Sequence, residues 1–516
     1  MSNGRLDPVT LSVLASALAG IAEEMGAVLI RGSYSSNIKE RRDCSTALFD
    51  ARGRMVAQAE HIPVHLGAMP EAVAAIRRRN PEPGDVFAIN DPYSGGTHLP
   101  DITLVSPVAP GEAGEIIGYA VTRAHHSDVG GMRPGSAPSD SREIYQEGII
   151  IPPVRLVRGG DYVDDVLDLL LANVRTPAIR RGDLRAQIAA NQIAEQRVGE
   201  LIDRRGRELV LAAFDEVISY TERRTREVIR GLPDGEYRAV DCMEGDGTMD
   251  EDIPIRTKVR ISGDSISIDF SGTSDAVPGN VNCPLAVTRS ACYFALRVLL
   301  PGDVPANAGT YAPLEIRAPE GSLINAQSPS AVVAGNVETS SRIADTVLSA
   351  LSGASALPAQ GQGTMNNLVI GGPGWTYYET IGGGQGASRK GPGPSGVHVG
   401  MSNTLNTPTE AFEMEYPMRV ERYELLYGSG GEGEHRGGDG IVRSVRVLAP
   451  ASLSLLTDRR RHPPRGVEGG EPGEPGKNLL NDEELPPKVS RDMEKGDVVT
   501  VRTPGGGGYG RSDDGR

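Results

Sequence analysis

The 516-residue chain is poor in several residue types, and each shortage removes a class of function. It has four cysteines, Cys44, Cys242, Cys283 and Cys292, and no Cys-x-x-Cys pair. That excludes a zinc ribbon, a thioredoxin-type motif and a disulfide framework, and it fits a reducing cytoplasm. One Trp and six Phe leave little from which to build a stacking platform for nucleic-acid bases. Basic charge is also short. Fifty-three Lys and Arg face 68 Asp and Glu, a net charge of −15, so phosphate backbones are not the expected partner. A continuous apolar run of about 20 residues is missing, and so is a charged start followed by an apolar stretch. Neither a membrane span nor a signal peptide is expected. Histidine is scarce too, at eight residues, and five of them fall between positions 61 and 126.

Glycine and proline, at 65 and 37 residues, are abundant, so the fold should be rich in turns and not mainly helical. An amphipathic helix is expected over residues 10–30, where Leu11, Leu14, Leu18, Ile21, Met25 and Val28 recur at steps of three or four. Strand patterns follow around 45–58, 86–89, 102–107 and 116–124, with a short basic helix at 70–79. Residues 182–230 read as a long helical segment broken at Gly206. Alternation over Ile255–Ile261 and Ile266–Phe270 marks a hairpin. Helices are expected at 284–300 and 340–352, and glycine-punctuated β-structure from about 360. The expected fold is mixed α/β: an α/β N-terminal region with a long helical segment, then a β-rich, glycine-rich C-terminal region. The expected division is 1–231, 232–358 and 359–516.

The histidine-rich quarter is where chemistry is expected. His98-Leu-Pro-Asp101 ends the glycine-bearing loop Asn90-Asp-Pro-Tyr-Ser-Gly-Gly-Thr-His-Leu-Pro-Asp101, with Asp91 seven residues before His98. Imidazole with carboxylate suits manganese, iron or zinc. His125-His126 ends a strand, and alternation sends the two rings to opposite faces, so one of them is expected to ligate. His61-Ile-Pro-Val-His65, near Asp43, offers general bases or hydrogen-bonded structural histidines. The glycine runs Gly382–Gly386, Gly430–Gly433 and Arg436–Gly440 lack the G-x-x-x-x-G-K-[ST] pattern and read as tight turns, so no ATP site is expected here. The polar run Asn336-Val-Glu-Thr-Ser-Ser-Arg342 reads as capping residues before a helix.

Taken together, Glu40-Arg-Arg-Asp43, His61-Ile-Pro-Val-His-Leu-Gly67, Asn90–Asp101, His125-His-Ser-Asp-Val-Gly-Gly131, Asp269-Phe-Ser-Gly-Thr273, Asn336-Val-Glu-Thr-Ser340 and Arg436-Gly-Gly-Asp-Gly440 resemble the hydantoinase B/oxoprolinase family. The resemblance covers nearly the whole chain in order. It implies the B subunit of an ATP-dependent cyclic amide hydrolase, in a hetero-oligomer with a hydantoinase A-type subunit that supplies the ATP site. It also implies a divalent metal, manganese first and zinc or iron next, on His98, Asp101 and His125. The metal would activate water to attack a carbonyl carbon phosphorylated by the partner. Asp43, His61, His65 and Glu147 stand as alternative general bases, with His126 beside the metal or facing substrate. Two other readings compete: a subunit of an ATP-dependent ketone carboxylase of the acetone or acetophenone type, and a non-catalytic scaffold subunit.

Overall fold

The computed structural model describes residues 6–60, 62–111 and 114–512, with the Glu60 side chain excepted. The expected mixed α/β fold is observed, with four sheets among these residues.

The first sheet carries the site. Its strands are β1 (Cys44–Asp50), β2 (Met55–Glu60), β3 (Val86–Ile89), β4 (Asp101–Val108), β5 (Gly118–His125), β6 (Val154–Arg158) and β7 (Asp161–Tyr162). Their order is β2-β1-β5-β4-β3-β6-β7, antiparallel throughout. Both faces of β1, β4 and β5 are buried, so these strands are apolar on each side, as a covered sheet requires. Even-numbered residues such as Cys44, Leu48, Ala120 and Ala124 pack on the helices Pro8–Gly32, Pro177–Arg205 and Arg207–Arg230. Odd-numbered residues such as Ala47, Phe49, Val105 and Val121 face the helix Met69–Arg77 and the rest of the chain.

Three details differ from the sequence reading. The long helix starts at Pro177, five residues before Gly182, because Pro is well placed in a helix's first turn. A helix Asp164–Ala172, with two aspartates in its first turn, precedes it. Helix Pro8–Gly32 is long and apolar enough to cross a bilayer, contrary to the expectation that no segment is. It instead buries Leu14, Leu18, Ile21, Ala22, Met25 and Leu29 in the protein's own core. The break at Gly206 is present, with φ at +87°.

The second sheet orders Leu314–Arg317, Ser265–Asp269, Asp252–Ser262 and Gly235–Glu244. Helix Ser340–Leu351 lies against it, and helix Leu285–Leu299 packs on that helix within the same core. Two further sheets, one built on Asn367–Gly372 and Ala451–Leu456, the other on Gly440–Val447 and Val498–Arg502, enclose a separate core of Leu368, Leu453, Leu455, Val445 and Val501. The largest core takes side chains from all three expected segments, among them Val121, Ile255 and Tyr378.

The C-terminal glycines are not mainly turns. Gly384, Gly438, Gly506 and Gly507 lie in extended stretches that hydrogen-bond one another side by side, as Gly384 N–H to Pro504 O at 3.0 Å and Gly506 N–H to Gly438 O at 2.9 Å. A Cβ on Gly438 would stand 1.9 Å from Pro394 O, and one on Gly505 would stand 1.9 Å from Ser429 O. Only a residue without a side chain permits backbones this close.

Candidate metal centre

One row of side chains crosses the first sheet at the ends of three strands. Asp101 of β4 pairs with His125 of β5, and the His125 N–H donates to Asp43 O at 3.0 Å, just before β1. Two residues along, Thr103, Arg123 and Ser45 form the next row of the same parity. Alternation therefore puts both rows on the face turned toward the rest of the chain.

His98 joins from the loop before β4. Asn90 fixes that loop: its amide donates to Leu99 O at 2.7 Å and to Ile149 O at 3.0 Å, and accepts from Ile151 N–H at 2.6 Å. Asp91 holds the preceding turn by accepting from Tyr93 N–H and the Ser94 hydroxyl, an Asx-type turn, and bonds no histidine among the described residues. Gly96 is obligatory, since a Cβ there would lie 2.1 Å from Asn90 O. Arg123, beneath the loop, donates to Gly95 O and Thr103 Oγ1.

The result is a compact donor set. His98 Nε2 is 3.1 Å from Asp101 Oδ1 and 3.1 Å from His125 Nδ1, and His125 Nδ1 is 3.2 Å from Asp101 Oδ1. Donors about 2.1 Å from an ion stand about 3.0 Å apart at right angles and about 3.4 Å apart at tetrahedral angles. The observed triangle matches three facial positions of a six-coordinate ion more closely than a tetrahedron. All three side chains are buried. Burial alone would raise the Asp101 carboxyl, but the His98 charge and contacts from His125, His65 and His98 outweigh it, holding it well below the usual range. Burial pushes His125 down to about 4. An ionised carboxylate beside a neutral imidazole is what a divalent cation needs.

Five residues that the sequence reading did not place at the site complete the surroundings. Tyr378 stacks on His125, ring centroids 4.4 Å apart, and its hydroxyl donates to Asn367 Oδ1 at 2.7 Å. Asn336, Thr380 and Thr404 line a small cavity together with Asp43, His65, Asp101 and His125. Asn336 is no helix cap. It lies in a π-helical stretch, Gly335–Thr339, a form of helix often found at functional sites. The signal in the sequence was the polar run itself. Thr97 adds a hydrogen bond to Asp101 Oδ2 at 2.5 Å.

The structure disperses the expected general bases. His65 is at the site: Nε2 is 3.6 Å from Asp101 Oδ2 and Nδ1 is 2.9 Å from Ser45 Oγ. Burial lowers its pKa. Asp43 lines the cavity, and burial with the nearby Asp101 pushes it up to about 8. His61 lies outside the described residues. His126, expected beside the metal or facing substrate, points to the opposite face, 2.9 Å from Gln187 Oε1 on the helix Pro177–Arg205, because strand alternation reverses its ring. Glu147 is also elsewhere. It accepts from Val332 N–H, Val333 N–H and Ser141 Oγ, so it clamps a loop.

Residues 7–512 match the family described as Hydantoinase B/oxoprolinase. The chain belongs to the hydantoinase B/oxoprolinase family. Among its relatives in that family, 5-oxoprolinase 1 of Arabidopsis thaliana is 40% identical over 98% of this chain and 42% of its own. A putative D-/L-hydantoinase B subunit from a Pseudomonas species is 35% identical over 98% of this chain and 90% of its own. This hydantoinase B/oxoprolinase chain thus spans about two-fifths of the oxoprolinase and nine-tenths of the hydantoinase polypeptide. The crystal structure of the ATP-dependent caprolactamase from Pseudomonas jessenii superposes with a TM-score of 0.89 at 31% identity, covering 98% of this chain and 91% of that one.

Proposed function

We propose that this chain is the metal-carrying B subunit of an ATP-dependent hydrolase of cyclic amides, working with a separate A-type subunit that phosphorylates the substrate. The observation that carries the reading is the convergence of His98 Nε2, Asp101 Oδ1 and His125 Nδ1 in one buried triangle. These residues fit a divalent transition ion; a facial set of two imidazoles and a carboxylate suits iron as well as manganese, and manganese is put first on the family resemblance. Such an ion, when bound, acts as a Lewis acid and makes water nucleophilic near neutral pH.

The chain's own residues do the rest. Tyr378, stacked on His125, and Thr97, bonded to Asp101, hold the two donors in orientation. His65 and Asp43 line the cavity, where either can take a proton from water. Ser45, 2.9 Å from His65 Nδ1, orients that ring so that Nε2 faces Asp101. Burial of the site excludes bulk water from the activated carbonyl. The reading is supported by the relatives' names, which include 5-oxoprolinase, a hydantoinase B subunit and ATP-dependent caprolactamase.

The test is co-purification with the A-type subunit followed by a screen of hydantoins, 5-oxoproline and lactams. The reading expects ring opening that needs ATP and both subunits, and that stops in His98→Ala. Ring opening by this chain without ATP, or full turnover in His98→Ala, contradicts it.

A further inference from the structure

Arg41 is fully buried, and its guanidinium is only partly satisfied. Nη2 donates to Thr380 Oγ1 at 2.6 Å and to Thr404 Oγ1 at 3.0 Å. Nε and Nη1 have no hydrogen-bond partner among the described residues. Several other buried arginines sit beside carboxylates, as Arg459 between Asp241 and Asp345 at 3.0 and 2.7 Å and Arg443 at Glu379 at 3.3 Å; Arg123, under the metal-site loop, shares with Arg41 the lack of a close carboxylate among the described residues. Arg41 has no carboxylate within 4 Å among the described residues, and the charge of Asp43 reaches it only across a longer gap. A buried cation without a close counter-charge costs several kcal/mol, so a fold that keeps one gains something else from it.

The hydroxyls it holds point to that gain. Thr380 and Thr404 are 2.7 Å apart, Oγ1 to Oγ1, and both line the cavity that Asp101 and His125 also line. On the far side Thr404 Oγ1 is 3.2 Å from Nε2 of the half-buried His398. One hydroxyl proton is used between the two threonines, so the pair, backed by a guanidinium, presents one charge-assisted O–H donor to an oxyanion. A cation has no comparable reason to sit there. The cavity holds only about 20 Å³, so a whole anion needs the lining to give way, and the stretch 402–407 beside it is neither helix nor strand. The N–H of Leu405 in that stretch donates to Arg41 O at 3.0 Å, tying its position to Arg41.

We infer that Arg41, acting through Thr380 and Thr404, recognises the anionic oxygens of the substrate, either a phosphoryl group placed on the ring carbonyl or a carboxylate carried by the ring. The identity of the anion as a substrate group rests on the hydrolase reading above; the anion site itself does not.

The test titrates inorganic phosphate, and separately acetate, into the full-length manganese-loaded chain by calorimetry at constant ionic strength, alongside a measurement of bound metal. Arg41→Gln should weaken binding at least tenfold with metal content unchanged, while Arg41→Lys, which keeps the charge, retains most of it. Loss confined to phosphate identifies the transferred phosphoryl group, and loss confined to acetate identifies a ring carboxylate. Loss of both identifies an oxyanion site of general kind. If Arg41→Gln does not fold, Thr404→Val reports instead, with several-fold weaker binding expected. Failure of wild type to bind either anion, or unchanged affinity in the folded variant, overturns the inference. Arg41-dependent phosphate binding in a chain that holds no metal would sink the hydrolase reading and leave the anion site standing.

Discussion

Asp101 and His125 face each other across β4 and β5, with Oδ1 and Nδ1 3.2 Å apart, so the carboxylate and one imidazole of the proposed metal site are a directly opposed cross-strand pair. Sheet register, not loop conformation, therefore sets their separation. His98 is the member held by a loop, and that loop is pinned by Asn90 and Arg123.

Tyr378 buttresses this pair, and its two functions separate by mutation. Tyr378→Phe keeps the ring on His125 and loses the hydrogen bond to Asn367, at a cost of about 1–2 kcal/mol. Tyr378→Ala also removes the stacked ring and should cost about 3–5 kcal/mol and weaken metal retention. Denaturant unfolding with metal analysis on both variants checks this; equal stability and equal metal in the two would contradict it.

The close-packed glycines are expected to be intolerant where their backbones touch. Gly438→Ala, whose Cβ would stand 1.9 Å from Pro394 O, should destabilise by about 3 kcal/mol or more. Gly20→Ala, on the exposed side of helix Pro8–Gly32 with nothing within 4 Å, should instead stabilise by about 0.5–1 kcal/mol. Thermal unfolding of the two variants decides, and similar shifts in both would contradict the packing account.

Glu147 gives a pH prediction away from the metal site. Burial pushes its carboxyl from the ordinary 4.5 up to about 8, against hydrogen bonds from Val333, Val332 and Ser141. Between those values the folded protein keeps a proton that the unfolded chain has released. The stabilising contribution is thus complete below about pH 4.5 and is lost as pH rises toward 8. Glu147→Gln keeps an acceptor for the Val332 and Val333 N–H groups and removes the titration. Its unfolding midpoint should fall less than that of wild type between pH 5 and 8. Parallel profiles would show that Glu147 is already ionised in the fold.

What was legible in the sequence follows from which contacts are local or periodic. His98 and Asp101 stand three apart around a rigid proline, and strand alternation separated His125 from His126. Scarcity of histidine marked the region. Arg41, Asn336, Tyr378 and Thr404 were not legible, because their partners in the site lie tens to hundreds of residues away and only packing brings them together. Polar residues before a helix usually are caps, so the run at Asn336 reads as one in the sequence, whereas the structure has a π-helical turn there with Gly335 lying against Asn282 O. The C-terminal glycines misled for a different reason. Composition does not distinguish a tight turn from extended backbones in contact, and only spatial neighbours do. The helix start at Pro177 was missed because its first turn lacks the apolar spacing that marks the rest.

The central claim is that His98, Asp101 and His125 hold a divalent transition ion. The most direct measurement is the metal content of the full-length chain by elemental analysis, wild type beside Asp101→Asn, with circular dichroism to confirm that both fold. The account predicts roughly one equivalent of a transition metal, manganese first, in wild type and its loss in the folded variant. Wild type without transition metal after reconstitution, or a folded Asp101→Asn chain that retains it in full, would contradict the account.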